Sequence, residues 1–134
     1  MGESKPVFGT LGFYVAMAEA LNADPEWAER GKALEATMIY AYGEPINRYF
    51  YMRFEGGKVY DVTELSSLEE RAAQFVVSGT GESWRAVMQK EVKPATAMAT
   101  GKLKVKGKQT YLLKNMGAFT RILDVMTSLD PVYE

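Results

Sequence analysis

The sequence predicts an α+β domain with one sheet and helices packed on a face of that sheet. The first observation is a change of hydrophobic period: helical spacing near the N-terminus, alternation through the middle, and helical spacing again near the end. The second is the resulting order α-α-β-β-β-β-α-β-α, in which consecutive antiparallel strands precede the later helices. The third is the length of 134 residues, which fits one domain over residues 1–134.

Two helices are predicted in the N-terminal part of the chain. The first spans about residues 9–22, where apolar residues recur at helical spacing. Its buried face is expected to carry Leu11, Tyr14, Val15, Ala18 and Leu21. The second begins with Asp24 as its N-cap and Pro25 at its first helical position, and it is expected to end near Ala36.

Four strands are predicted next, at about residues 37–42, 46–55, 58–64 and 74–79. Gly56-Gly57 is a two-residue turn signal and predicts a hairpin between the second and third strands. On the second strand Arg48 is in register with Phe50, which predicts a shared face. A buried arginine needs an anionic partner. We expect a structural carboxylate, Asp61 or Glu64; a ligand head group is the alternative.

The C-terminal part is predicted to contain two helices, a helical turn and the fifth strand. A helix spans about residues 81–91, and a short helical turn, 95–99, ends at Gly101. In residues 102–107 lysines alternate with Leu103 and Val105, so we expect one buried face and one basic face. The last helix, about residues 109–129, carries an amphipathic stripe. Its members are Leu112, Met116, Phe119, Leu123 and Met126.

The composition excludes several classes of chemistry. The chain has no cysteine and no histidine. It therefore cannot hold a disulfide, an iron–sulfur cluster, a zinc ion bound by these residues, a thiol nucleophile or a Ser-His-Asp triad. No cofactor or metal is expected, and acid–base chemistry would depend on Asp, Glu, Lys or Tyr. No leader peptide or membrane span is recognisable, so the cytoplasm is the expected location.

The net charge of −1 conceals a basic block. Residues 85–121 contain nine lysines and arginines against one acidic residue, Glu91. The most regular part of this block is the series Lys102, Lys104, Lys106 and Lys108. Nucleic acid is not an expected partner, because no paired aromatic platform accompanies these lysines.

One motif in the C-terminal half is specific enough to indicate a family. Residues 93–107 read Lys-Pro-Ala-Thr-Ala-Met-Ala-Thr-Gly-Lys-Leu-Lys-Val-Lys-Gly, and Leu112-Leu113-Lys114-Asn115-Met116 follow in a helix. A proline, a small apolar helical turn, Gly-Lys-Leu-Lys-Val and a Leu- and Met-rich helix resemble the sterol carrier protein 2 (SCP-2) domain family. The hairpin at Gly56-Gly57 and the elements that contain Phe75, Val77, Trp84 and Met88 are similar in order and spacing. The resemblance covers about residues 25–129.

The resemblance implies a five-stranded, mostly antiparallel sheet that is covered by helices and encloses an apolar tunnel. It also implies non-catalytic binding or transfer of long-chain lipids, such as fatty acids, fatty acyl-CoA, phospholipids or isoprenoids. The chain lacks the C-terminal peroxisomal signal of the animal proteins and carries the extra helix at 9–22. Both features suggest a stand-alone microbial member, for which sterol itself is not the expected ligand.

The resemblance also implies which residues form the lipid site. The tunnel is expected to be lined by Phe50, Met52, Phe75, Val77, Trp84, Met88, Met98, Leu103, Val105, Leu112, Met116, Phe119, Leu123 and Met126. Flexible methionine side chains suit a cavity for varied ligands. The spacing of the stripe on the last helix, taken alone, favours a filled core between helix and sheet, so that interpretation remains open.

The four lysines have two interpretations. As a solvated face of an edge strand, Lys102, Lys104, Lys106 and Lys108 would prevent aggregation. As a functional surface, they would bind the phosphates of an acyl-CoA or an anionic membrane.

Two other functions are compatible with the sequence. One is an enzyme in which a tyrosine or carboxylate acts on a hydrophobic substrate. The other is an accessory module that presents a lipid or an isoprenoid quinone precursor to a separate enzyme. The sequence names neither the lipid nor the oligomeric state.

Overall fold

A computed structural model describes residues 5–133 of the chain. Its strands are β1 (Glu35–Tyr42), β2 (Arg48–Glu55), β3 (Lys58–Leu65), β4 (Phe75–Gly79) and β5 (Lys104–Lys106). Its helices are α1 (Leu11–Asn22), α2 (Pro25–Arg30), α3 (Gly81–Met88), α4 (Pro94–Thr100), α5 (Gln109–Lys114) and α6 (Met116–Ser128). Residues 1–4 and 134 lie outside the described residues. The predicted domain, 1–134, includes them, and so does the expectation about terminal signals.

The five strands form one sheet in the order β3-β2-β1-β4-β5. Three neighbouring pairs are antiparallel, and the central pair β1–β4 is parallel. The predicted α+β fold with a mostly antiparallel five-stranded sheet is therefore confirmed. Residues Gly56 and Gly57 form the predicted hairpin turn with φ of 59° and 78°, values that glycine adopts without steric cost.

The helical layer and one face of the sheet enclose an aromatic core. The ring of Tyr42 stacks on Trp84 with centroids 4.7 Å apart, and the Trp84 indole Nε1–H donates to the carbonyl of Ala41 over 2.9 Å. The hydroxyls of Tyr14 and Tyr42 hydrogen-bond to each other over 2.8 Å. These bonds satisfy polar groups that would otherwise be costly to bury. A smaller apolar cluster, Ile39, Ala41, Tyr51 and Leu65, covers part of the opposite face of the sheet.

The structure confirms the predicted start of α2 and corrects its end. The Asp24 carboxylate accepts a hydrogen bond from the backbone N–H of Trp27 over 2.7 Å, as expected of an N-cap. The expectation that this helix ends near Ala36 is wrong, because it ends at Arg30 and Gly31 follows as the C-cap. Ala36 instead pairs with Phe54 in the sheet.

The predicted last helix is interrupted at Asn115. Its backbone adopts φ −114° and ψ 25°, and its side-chain amide donates to the carbonyl of Tyr111 over 3.0 Å. Asparagine side chains compete with the backbone for such carbonyls, which disfavours a helix interior. The segment 109–129 therefore forms two helices, α5 and α6. The helix expected to reach residue 91 ends at Met88, and Lys90 has a positive φ of 66°.

Of the two carboxylates expected as a partner for Arg48, Asp61 and Glu64, it is Glu64 that pairs with it. The Arg48 guanidinium donates two hydrogen bonds to the Glu64 carboxylate, each of 2.7 Å. The Arg48 side chain is 38% exposed, so the pair lies at the edge of the core rather than inside it. The structural interpretation of this arginine is confirmed.

None of the helices within residues 5–133 is long and apolar enough to cross a bilayer.

Candidate functional site: an apolar cleft between α4, β5 and α5

An apolar cleft of about 570 Å³ opens where α4, β5, α5 and the first two turns of α6 meet. Small-molecule pockets have volumes of about 300 to 1,000 Å³. Nine lining residues are apolar: Ala95, Met98, Ala99, Gly101, Leu103, Val105, Leu112, Leu113 and Met116. The polar ones are Lys104, Gln109 and Thr120. The cleft therefore offers an apolar wall with few polar groups, one of which is a cation.

The short helix α4 forms one wall. Pro94 stands at its start, where a missing N–H costs nothing, and Gly101 ends it as predicted. The N–H of Leu103 then donates to the carbonyl of Ala97 over 3.1 Å and turns the chain towards the sheet. In β5, Val105 pairs with Val77 of β4. The alternation expected for residues 102–107 is thus present, although the strand itself has only three residues.

Gly107 makes the turn from β5 to α5 possible. Its φ is 147°, a value that residues with a side chain rarely adopt. A Cβ at this position would lie 2.7 Å from the carbonyl oxygen of Gln74 and would overlap the ring of Phe75. Only glycine therefore lets the chain pass this close to β4.

Tyr111 holds α5 against the sheet. Its hydroxyl accepts a hydrogen bond from the N–H of Glu35 over 2.9 Å and donates to the carbonyl of the same residue over 3.1 Å. Its ring stacks on Phe75 with centroids 5.9 Å apart. Leu112 is buried beneath the helix, whereas Leu113 lies at the rim of the cleft and is exposed.

The structure brings together five of the fourteen residues expected to line a lipid site. Met98, Leu103, Val105, Leu112 and Met116 share the cleft. The other nine are in the core, none more than 4% exposed: Phe50, Met52, Phe75, Val77, Trp84, Met88, Phe119, Leu123 and Met126. These nine do not line the cleft.

The four lysines are all exposed, and within residues 5–133 none forms a salt bridge. Lys104 lines the cleft, and together with Lys102 it also lines a second depression of about 470 Å³ beside Ser78. Lys106 lines a third depression beside Ile39. Lys108 directly precedes α5. The four lysines are therefore spread around the edge strand and do not converge on a single site.

The groups with altered pKa values lie away from the cleft. The Arg121 guanidinium lowers the pKa of the Asp24 carboxyl by hydrogen bonding, and Arg48 does the same for Glu64. Burial raises the pKa values of the Tyr14, Tyr40 and Tyr42 hydroxyls well above their ordinary range. Among the described residues, no Asp, Glu or Tyr lines the cleft.

Sequence reasoning missed several residues of the cleft. Ala95, Ala99, Gln109, Leu113 and Thr120 line it without belonging to an apolar stripe. Gln109 and Leu113 are four residues apart in α5 and so share a face. Ala95 and Ala99 in α4, and Met116 and Thr120 in α6, have the same spacing. This spacing was an available signal, and it was obscured by the stronger periodicity of the buried residues.

The fold and the cleft define a small α+β domain with a cavity suited to a hydrophobic molecule. The model of the SCP-2 sterol transfer family matches residues 17–120. The chain belongs to this family, as the resemblance predicted, and lipid binding or transfer in general follows from that membership.

Solved structures share the fold at low sequence identity. A crystal structure of sterol carrier protein 2 has a TM-score of 0.80 at 18% identity, covering 90% of this chain and 97% of that one. A conserved hypothetical protein from Thermus thermophilus has a TM-score of 0.79 at 18% identity, covering 98% and 97%. The UbiJ-SCP2 ubiquinone synthesis protein has a TM-score of 0.56 at 16% identity, covering 86% and 92%. No curated protein sequence is similar enough to this chain to count as a match.

Proposed function

We propose that this chain binds and transfers a long-chain lipid with an anionic head group, and that the lipid's acyl chain occupies the apolar cleft. The observation that carries the proposal is the cleft itself, about 570 Å³ of largely apolar space with Lys104 on its wall. Contact with an acyl chain would remove apolar surface of both partners from water. This burial contributes a favourable free energy of about 25 cal/mol per Å². Fatty acids and fatty acyl-CoA are among the ligands that fit this description.

Met98, Leu103, Val105, Leu112 and Met116 are the proposed lipid contacts. Met98 and Met116 line the cleft and also pack against the core. Thioether side chains change rotamer readily. Rotation of these two side chains would lengthen the cleft towards the core, as the tunnel that the family resemblance implies would require.

Lys104 is the proposed contact for the head group, because it is the cation that lines the cleft. A carboxylate or a phosphate would form a charge-assisted hydrogen bond with its ammonium group. A fatty acid and an acyl-CoA share this chemistry. To distinguish them, the affinity of each is measured for the wild-type chain and for Lys104→Gln, and the loss caused by the substitution is compared between the two ligands.

The test combines ligand identification with a blocked cleft. Native mass spectrometry of the purified protein, followed by lipid extraction, identifies what is bound. Ala99 is an exposed helical residue on the cleft wall, so Ala99→Trp should fill the cleft without disturbing the core. Thr96→Trp is the matched control, because Thr96 is exposed on the same helix and does not line the cleft.

We expect Ala99→Trp to lower the affinity for a fluorescent fatty acid at least tenfold and Thr96→Trp to leave it unchanged. Saturating fatty acid should also raise the melting temperature of the wild-type chain, since a ligand that binds only the folded state stabilises it. Equal affinities for the two tryptophan variants, or no thermal shift, would refute the proposal.

The accessory function is the second candidate, and one solved structure with this fold is a ubiquinone synthesis protein. Stable copurification of an enzyme with the chain, in place of a bound lipid, would favour it. Catalysis by the chain itself has weaker support, because the described cleft is lined by no carboxylate or tyrosine that could move a proton.

A further inference from the structure

The rim of the cleft carries an exposed leucine. Leu113 is 69% exposed, the highest value among the large hydrophobic side chains of residues 5–133. It lines the cleft with Gln109, which precedes it by one turn of α5. Its neighbour Leu112 is buried, so the two leucines lie on different sides of the helix. An apolar side chain is thus presented to solvent at the entrance to an apolar cavity.

The charged residues of the segment around Leu113 are all cations. Lys108 directly precedes α5, Lys114 is its last residue, and Lys104 lies on the cleft wall. None of these three lysines takes part in a salt bridge with another described residue. The chain has no Asp or Glu from residue 92 to residue 123. Their positive charge is therefore not neutralised by an ion pair within the described chain.

Leu113 differs from the other exposed large hydrophobic residues because no acidic residue is near it in the sequence. Each of those residues has an acidic residue within four positions along the chain. The pairs are Val15 with Glu19, Tyr60 with Asp61, Leu68 with Glu69, and Val132 with Asp130. An exposed leucine among unpaired lysines is what an anionic lipid surface would attract, because apolar burial and charge attraction then act together.

We propose that Lys104, Lys108, Leu113 and Lys114, here termed the α5 rim, dock the protein on an anionic lipid bilayer. Leu113 enters the apolar boundary of the bilayer while the lysines contact the head groups. The hydrogen bonds of Tyr111 to Glu35 hold α5 in place, so the leucine is presented without reorganisation of the fold. This inference rests on the proposed function, because docking at the rim places the mouth of the cleft against the source of the lipid.

A second copy of the chain is a poorer occupant of this surface. A two-fold contact through Leu113 would bring the lysines of both copies together. Like charges at that distance oppose association. Charge complementarity therefore selects the bilayer.

The experiment measures cosedimentation with vesicles of phosphatidylcholine, with and without phosphatidylserine. Leu113→Asn should weaken partition onto the anionic vesicles by about tenfold, as expected for loss of one buried leucine. Leu68→Asn, at an exposed leucine elsewhere, is the control and should not. Lys114→Gln should weaken partition by about fivefold, while Lys58→Gln at the β2–β3 hairpin should leave it unchanged.

A second measurement places a reporter in the rim. Leu113→Trp should show a blue shift of its emission on anionic vesicles, because its indole leaves water, and Leu68→Trp should show none. Equal partition of Leu113→Asn and Leu68→Asn would overturn the docking surface. A concentration-dependent dimer that Leu113→Asn abolishes would also overturn it and would assign the rim to a second copy.

Failure of the docking surface and failure of the proposed function are distinguishable. Ala99→Trp should lose fatty-acid affinity in solution and keep its partition onto anionic vesicles. A wild-type chain that partitions but binds no fatty acid would refute the proposed function alone. A wild-type chain that binds fatty acid in solution but does not partition would overturn the α5 rim alone.

Discussion

Arg121 of α6 holds Asp24, the N-cap of α2, with two hydrogen bonds, from Nε over 2.9 Å and from Nη2 over 2.8 Å. The same carboxylate caps α2 through the N–H of Trp27. The two partners are 97 residues apart in sequence, and their side chains are only 24% and 16% exposed. One carboxylate thus begins a helix and also joins the first part of the helical layer to the last.

Replacement of Asp24 should therefore be costly. We expect Asp24→Ala to lower the free energy of unfolding by about 2 to 3 kcal/mol, because it removes a cap and a charged hydrogen-bonded pair. Urea denaturation measures this change. Glu29→Ala, which removes the exposed ion pair between Glu29 of α2 and Lys32, is the control and should have no measurable effect. Similar losses for both variants would contradict the double role of Asp24.

The free energy of unfolding should fall in acid, partly because the Asp24–Arg121 and Glu64–Arg48 pairs are lost. Hydrogen bonds from Arg121 and from Arg48 lower the pKa values of Asp24 and Glu64 in the folded state. Each carboxylate then stabilises the fold above its unfolded pKa, about 3.9 for Asp and 4.3 for Glu. That stability is lost as the pH falls through the lower, folded pKa.

The comparison uses urea denaturation between pH 7 and pH 3 for the wild-type chain and for Asp24→Asn. Asparagine retains the cap but has no charge to lose. We expect a shallower decline for the variant below about pH 4. Parallel declines would show that Asp24 contributes nothing to the acid sensitivity.

Gly107 should not tolerate a side chain. We expect Gly107→Ala to destabilise the fold by about 2 to 4 kcal/mol, because the methyl group would meet Phe75 and the carbonyl of Gln74 at a strained φ. Gly117→Ala is the matched control. Gly117 lies in α6, and a methyl group there would meet no other atom of the described residues within 4 Å, apart from its own helix backbone and chain neighbours. The change should therefore stabilise the helix by about 0.5 to 1 kcal/mol. Equal effects of the two substitutions in thermal or urea denaturation would contradict the steric role of Gly107.

Loss of the Tyr111 hydroxyl should loosen α5 specifically. Tyr111→Phe removes both hydrogen bonds to Glu35 and retains the ring that stacks on Phe75. We expect a loss of about 1 kcal/mol in the free energy of unfolding. Hydrogen exchange of the α5 amides should become faster while exchange in β1–β4 stays nearly unchanged. Uniform acceleration throughout the sheet would contradict this local role.

The fold was largely predictable because local signals and burial agreed. The cap at Asp24, the Gly56-Gly57 turn and the alternation around Val105 are each encoded within a few residues. The break at Asn115 was missed, since an apolar stripe continues through it and a single side-chain hydrogen bond decides the backbone. The pairing of Arg121 with Asp24 depends on tertiary structure, and no local pattern reports it.

The site was predictable only in part, for a physical reason. Hydrophobic periodicity reports that a residue leaves water, and a filled core and a cavity wall produce the same pattern. Met98 and Met126 could therefore not be told apart, although the first lines the cleft and the second is fully buried. Small or exposed lining residues such as Ala99 and Leu113 give a weaker periodic signal than the buried residues do.

The position of α6 has a consequence for how the chain is made. This helix packs on α1 and α2, yet it follows every strand of the sheet in the sequence. During translation the helical layer over the aromatic core stays incomplete until residues 116–128 leave the ribosome. A nascent chain paused before that point exposes apolar surface to chaperones and to aggregation, so the native core can close only after α6 has been synthesised.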